Sequence, residues 1–379
     1  MASNLIPLSG WRLHLRRGVR ELKRGDYQRA SDAFERALGE APDEPEVLLA
    51  LGRERMRAQR YGEAEQLLRR ALDASPDSVA TVAALARVIG LHIGGRDEAF
   101  RLLDAFIEKH PEARALEVIR GELYLEDGDV TRARAAFDSV AEEEQAARLG
   151  LARTYGSEGL ELAEAGQHER ALFAFKRAAD YDEAWSSPLV NQGVVFGRMG
   201  LPHKAIDAYR EALLRDPENP VALFNLGTTY HEVGDYPMAV ETLETLVALC
   251  PEFAGARSAL GNVLGESGRF DAAIAVLLEQ VEITPDDAAA WSSLGLAYLC
   301  SGAPDRGEDC LREALAVDSG HFNTYYNLAV LYCSQERYDE AETLLRRAHA
   351  THPEQTARIF ADDPSFSRAR ELSRFSFLG

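Results

Sequence analysis

Four glycines and an alanine, Gly193, Gly227, Gly261, Gly295 and Ala329, follow one another at intervals of 34 residues. A strict period of that length confines a chain to a stack of like units, each able to bury its apolar face only against its neighbours. Around Gly227 the unit reads Leu223-Phe224-Asn225-Leu226-Gly227-Thr228-Thr229-Tyr230, then a Gly234-Asp235-Tyr236 break, then Ala239, Leu243, Val247 and Pro251. Apolar residues recur three and four apart on both sides of the break. Each unit is therefore expected to be two amphipathic helices joined by a tight turn.

The small residues divide by task. Gly25, Gly128, Gly166, Gly200, Gly234, Gly268 and Gly302 fall at the break, where the first helix ends and a positive φ is needed. Position 8 of the unit is Gly or Ala, and position 20 is alanine at Ala30, Ala64, Ala133, Ala171, Ala205, Ala239, Ala273 and Ala341. Small side chains there are expected to let the two helices approach closely. Phe34, Leu68, Phe137, Phe175, Tyr209 and Leu243, at position 24, are expected to fill the space between one hairpin and the next.

With small residues at positions 8, 20 and 27 and a proline at 32, the chain resembles the tetratricopeptide repeat proteins. The resemblance covers nearly the whole sequence, as ten units beginning at residues 11, 45, 79, 114, 152, 186, 220, 254, 288 and 322, most closed by Pro42, Pro76, Pro111, Pro217, Pro251, Pro285 or Pro353. It implies an all-α fold, a right-handed superhelical α-solenoid of about ten helix-turn-helix repeats with a C-terminal capping helix. The expected organisation is a lead at 1–10, less regular units one to four at 11–151, regular units five to ten at 152–355, and a cap and tail at 356–379. Three departures stand out: one extra residue at Gly94-Gly95, four extra residues between units four and five, and no closing proline in units four and five. Across 141–160 the first helix of unit five is expected to be lengthened, or a bend to enter the stack. Asp362-Asp363-Pro364 is expected to open a short cap helix whose Arg368, Arg370 and Glu371 suit a polar outer face.

A length of 379 residues would divide a compact protein into two or three domains, but a repeat stack extends as one body. No run of eighteen apolar residues is present, so no membrane insertion is expected. Met1 to Leu8 lacks the basic lead and apolar run of a signal peptide, and Cys250, Cys300, Cys310 and Cys333 form no CxxC pair. Both point to a cytoplasmic protein, and the 38 Arg against 4 Lys to a GC-rich bacterial genome. Charge is uneven along the chain: residues 1–113 carry 18 basic and 18 acidic side chains, whereas 114–379 carry 24 and 44, which is the whole net charge of −20. With a Debye length of about 8 Å at physiological salt, the two ends are expected to act as separate electrostatic surfaces.

In the family that the chain resembles, positions 2, 5, 6, 9, 12 and 13 of each first helix face the concave groove. Carried onto this sequence, units one to three present Arg12, Arg16, Lys23, Arg53, Arg57 and Arg87, with Glu46 the lone acid. Arginine chelates carboxylate or phosphate in a planar fork, so an acidic peptide is the expected partner there. Nucleic acid is disfavoured, since the chain is acidic overall and no aromatics interleave these arginines. Units six to ten present Asn191, Phe224, Asn225, Thr228, His231, Ser258, Asn262, Ser292, Ser293, Asn323, Tyr326 and Asn327, nearly free of charge. An Asn amide donates and accepts at once, so Asn at position 6 of units six, seven and ten suits the backbone of an extended peptide; the competing reading is an exposed polar position with no ligand. Ala259 and Ser293 interrupt the row, and no three successive units supply the Lys, Arg and Asn of a carboxylate clamp.

Catalytic signatures are thin. No GxGxxG after a strand, GxxxxGK[ST] or HExxH occurs, and His231-Glu232 has no identifiable nucleophile. Cys300, Cys310 and Cys333 with His349 and His352 read as packing residues before zinc ligands, so neither cofactor nor metal is expected. The function expected is a non-catalytic scaffold or adaptor binding protein or peptide partners in its groove. The alternative is a regulatory or substrate-recruiting subunit of a separately encoded enzyme or secretion system. Self-association stays open, because Phe375, Phe377 and Leu378 beyond the cap either fold back onto unit ten or dock into another molecule.

Overall fold

A computed structural model of the protein describes residues 10–91 and 95–378. Among these residues there is no strand. The chain falls into two compact units, one through Asp182 and one from Glu183. The first holds five hairpins: α1 (Gly10–Lys23) with α2 (Tyr27–Glu40), α3 (Pro45–Arg57) with α4 (Tyr61–Ala74), α5 (Val79–Gly90) with α6 (Arg96–Lys109), α7 (Ala115–Glu126) with α8 (Val130–Asp138), and α9 (Gln145–Glu164) with α10 (His168–Tyr181). The second holds α11 (Ser187–Arg198) with α12 (Pro202–Arg215), α13 (Pro220–Glu232) with α14 (Tyr236–Leu249), α15 (Ala256–Glu266) with α16 (Phe270–Ile283), α17 (Ala288–Cys300) with α18 (Pro304–Val317), and α19 (Phe322–Ser334) with α20 (Tyr338–Thr351). A closing segment follows, α21 (Pro353–Asp362) and α22 (Ser367–Arg370) with short 3₁₀ turns at Pro364–Phe366 and Ser373–Leu378. The expected lead at 1–10 lies, save Gly10, outside the described residues, as does Gly94 of the expected insertion.

Turn chemistry sets the hairpin. Gly234 at φ 79 ends α13, and the Asp235 carboxylate accepts from the Met238 amide to cap α14. All seven glycines read as turn residues have positive φ, and at the same register in the second and tenth repeats the chain places Gln59 and Glu336, both at φ 60. Side chains with a Cβ are disfavoured there, so these two turns are strained relative to the others.

Position 24 does more than expected. A Cβ on Gly193 would lie 2.3 Å from the Tyr209 ring, one on Gly227 2.7 Å from Leu243, and one on Gly18 2.4 Å from Phe34. The large side chain at position 24 therefore lies over the position-8 glycine of its own hairpin and also packs toward the next, Phe34 clustering with Leu51, Leu68 with Val82 and Leu85, and Leu311 with Tyr325 and Leu328. Buried completely, Phe34, Phe137, Phe175 and Leu243 each contribute about 1.5–3 kcal/mol relative to exposure. The small residue clears room for this plug as well as for the partner helix.

Phe137 meets a second glycine as well. An added Cβ would meet its ring at 2.5 Å from Gly121 and at 2.7 Å from Gly150, so it is wedged between two helices. The four extra residues create this wedge: α8 stops after nine residues, Val140 is buried in the turn, and α9 runs for 20 residues. Of the two expectations for 141–160, a lengthened helix is observed.

The closing segment holds one helix more than expected. Helix α21 opens at Pro353 and ends at Asp362, and Asp363, whose carboxylate accepts from the Ser365 amide, then opens the expected short helical run through Arg370. Phe366, Phe375 and Leu378 are buried with Leu345, Ala348 and Phe360, so the apolar tail folds back onto the last hairpin. Arg374 pairs with Asp339 at 2.5 Å, and Phe377 lies edge-on to His349.

Candidate functional site

Within each compact unit the first helices pack on the second helix of their hairpin and most also on the next first helix, as α3 does on α5, α13 on α15 and α15 on α17. The outer faces of the first helices thus form a continuous wall within each compact unit. Position 5 is not part of the free wall. It precedes position 8 by three residues and so shares its buried side. Ser292 is buried, Phe224 packs against Phe253 with ring centroids 5.4 Å apart, and Tyr326 donates to the Asp363 carboxylate at 2.5 Å beneath the closing segment. Burial first, then that hydrogen bond, pushes the Tyr326 hydroxyl up to about 12, and the same bond leads in holding Asp363 below its usual range. Phe224 and Tyr326, read as groove residues from the sequence, are engaged in seams inside the protein.

In the first compact unit the arginines split into engaged and free. Arg87 pairs with Glu122 at 2.9 Å, a partner one repeat further on that the tally of the first three units left out. Arg53 donates to the Ala80 carbonyl at 3.3 Å. Burial, then the charges of Arg87 and Arg57, hold its guanidinium below its ordinary value, so the structure brings Arg53, Arg57 and Arg87 into one field. Arg57 has no acidic partner among the described residues. Arg12, Arg16 and Lys23 are exposed on α1, with the Arg12 guanidinium 4.9 Å from the Trp11 ring centre.

In the second unit Asn191, Asn225 and Asn327 are half-buried on α11, α13 and α19, and Asn262 and Asn323 are exposed on α15 and α19. None of these amides has an internal hydrogen-bond partner among the described residues. Thr228 turns inward and donates to the Phe224 carbonyl at 3.0 Å. His231 Nε2 meets Glu266 Oε2 at 2.8 Å, with the imidazole tilted against Tyr236.

A cavity of 170 Å³ opens on the wall between α15 and α17, bounded by Asn262, Glu266, Phe270, Ser293, Leu296 and Cys300. Gly265 leaves it open, since a Cβ there would meet nothing within 4 Å. Sequence reading named Asn262 and Ser293 but missed the cavity. Its one legible signal was a glycine at position 12, where Leu299 and His231 stand in neighbouring repeats. Among the described residues no three His, Cys, Asp or Glu side chains are grouped to hold a metal ion, and no helix is long and apolar enough to cross a membrane. Cys310 and Cys333 are buried, which pushes each thiol up to about 11.

Family models described as tetratricopeptide repeat match residues 21–89, 93–153, 187–219 and 208–241. The chain belongs to the tetratricopeptide repeat family. A model of the cilia and flagella-associated protein 70 middle TPR-like domain also matches residues 258–362 of this tetratricopeptide repeat chain. Among solved structures it is similar to MamA protein, at 25% identity over 45% of this chain and 92% of that one with a TM-score of 0.42. It is similar to YrrB, titled a TPR protein with an unusual peptide-binding site, at 22% identity over 50% and 95% with a TM-score of 0.43. A tetratricopeptide repeat protein from Parabacteroides merdae is 16% identical over 65% and 97%, with a TM-score of 0.45. No curated protein matches the chain in sequence.

Proposed function

We propose that this tetratricopeptide repeat chain is a non-catalytic scaffold whose first-helix walls hold extended segments of partner proteins. The observation that carries the reading is the set of amides Asn191, Asn225, Asn262, Asn323 and Asn327, which stand on one wall of the second compact unit without an internal partner. An amide that is neither buried nor used in folding remains able to donate to and accept from a peptide backbone whatever its side chains. The wall of the first unit serves a different segment: Arg53 and Arg57, with Arg87 beside them, favour carboxylates.

Replacing Asn191, Asn225 and Asn327 with Ala tests the main reading. Each position is surface-accessible, so the fold is retained, and capture of partners from the native cell is expected to fall. Retention of every partner by the triple variant sinks the role of the amides.

A further inference from the structure

We propose that the cavity between α15 and α17 is an anchor site for one apolar side chain of a partner segment that carries Lys or Arg beside that anchor. The inference rests on reading the first-helix wall as an interaction face, and adds a specificity determinant to it.

Size excludes the commoner occupants. At 170 Å³ the cavity is well below the roughly 300 Å³ at which small-molecule and cofactor sites begin, and it suits a single side chain. Its lining is mainly apolar, with Ala297 buried, Phe270 half-buried and Leu296 left 45% exposed. The opening is made by backbone, because Gly265 contributes no side chain and no flexible neighbour has to move aside. Asn262 and Ser293 stand at the rim to bond the backbone on either side of an inserted residue.

Charge selects what flanks the anchor. Residues 220–321 carry sixteen acidic and four basic side chains, a net of −12. Of the four bases, Arg257 lies on the Pro251 carbonyl, Arg306 over the Tyr298 ring and Arg312 on Glu308, which leaves Arg269, exposed beside Phe270, as the one set against the surrounding carboxylates. Glu266, on the rim itself, is 55% exposed and meets His231 through Oε2. A basic segment is drawn into such a field and an acidic one is repelled.

The test uses the full chain and fluorescent nonapeptides. The parent is Gly-Ser-Arg-Ser-Leu-Ser-Arg-Ser-Gly; one counterpart has Ser for Leu, the other Glu for both Arg. The parent is expected to bind about tenfold tighter than the Ser peptide, the change that burial of one leucine side chain supports, and the Glu peptide is expected not to bind. Gly265→Leu places a side chain in the open space and is expected to abolish the Leu-over-Ser preference while circular dichroism stays unchanged. A second readout uses Cys300 on the cavity wall. In a Cys250→Ser background, maleimide at neutral pH is expected to label Cys300 ahead of the buried Cys310 and Cys333, and the parent peptide to slow that labelling.

Equal binding of the Leu and Ser peptides, or unaltered labelling of Cys300, overturns the anchor. If that equal binding is still weakened by the Asn191, Asn225, Asn327 triple Ala variant, the amide reading stands without the cavity. A Leu preference that the triple variant leaves intact supports the cavity against the amides. Concentration-dependent dimerisation abolished by Gly265→Leu would make a second copy the occupant and overturn the basic partner.

Discussion

The two compact units are built from the same hairpin yet handle charge in opposite ways. In the first, arginines reach from one repeat to the next: Arg69 to Glu98, Arg114 to Glu143 and Arg134 to Glu158 lie at 2.5–2.6 Å, and Arg96 pairs with Asp127. In the second, carboxylates far outnumber their partners and the repeats are joined mainly by apolar and aromatic seams, with Glu308 held by Arg312 and Arg337 as a local exception. Exposed ion pairs contribute about 0–1 kcal/mol each, so neither pattern is chiefly a stability device. The difference lies in what each wall leaves for a partner: guanidinium groups on the first, uncharged amides in an acidic surround on the second.

The largest expected effect concerns the closing segment, which only the second unit has. Deleting residues 373–379 removes Phe375 and Leu378 from the core of the last hairpin, and burial of two such side chains contributes about 3–6 kcal/mol. Hydrogen exchange is expected to show lost protection in α19, α20 and α21, because a repeat is stabilised by its nearest neighbours. Loss spread evenly over all hairpins would end the description of two compact units.

Next comes a pair of glycines at one register. Gly121→Ala drives a Cβ into a Phe137 ring already held from the other side by Gly150, whereas at Gly227 the added Cβ meets a Leu243 side chain that no second glycine holds. Overpacking costs about 1–3 kcal/mol where nothing yields, offset by up to about 1 kcal/mol of helix propensity. Denaturant melts are expected to show a larger loss for Gly121→Ala than for Gly227→Ala. Equal losses would mean that the wedge at the irregular junction is no tighter than the regular beat.

These cases also mark what could be read in advance. The hairpins and their turns follow from spacing, since a glycine after the first helix leaves few physical solutions, whereas the tail was legible only as two alternatives, of which burial of Phe375 and Leu378 on the last hairpin is observed. The contact made at position 24 was read only in part, because periodicity gives the side of the helix that is buried but not every neighbour that buries it. Position 5 failed for the same reason: Phe224 and Tyr326 look like groove aromatics until Phe253 and Asp363 are seen beside them. The cavity was illegible because it depends on an absent side chain at Gly265 together with the aim of Leu296 and Phe270 on other helices.

A binding experiment sharpens the contrast between the walls. With a fluorescent oligo-glutamate peptide, the double reversal Arg53→Glu, Arg57→Glu is expected to weaken binding about tenfold or more, with the wild-type interaction itself fading as salt shortens the Debye length below about 8 Å. The Asn191, Asn225, Asn327 triple Ala variant is expected to bind this probe as the wild type does. Unchanged binding by the double reversal at low salt would remove the acidic segment from the proposal.

The smallest expected effect comes from two strained turns at one register, one in each unit. Gln59 and Glu336 both sit at φ 60, where an L side chain costs about 1–2 kcal/mol, and Gly relieves that strain at a cost of roughly 0.5–1 kcal/mol in unfolded-state entropy. Gln59→Gly is therefore expected to stabilise by under about 1 kcal/mol. Glu336→Gly is expected to give less, because the Glu336 carboxylate accepts from Arg368 of the closing segment at 3.1 Å and that exposed contact, worth about 0–1 kcal/mol, is lost. Thermal melts of the two variants measure the difference directly. Equal gains would show that Arg368 adds nothing to the closure of the second unit, leaving its buried aromatics to hold the segment alone.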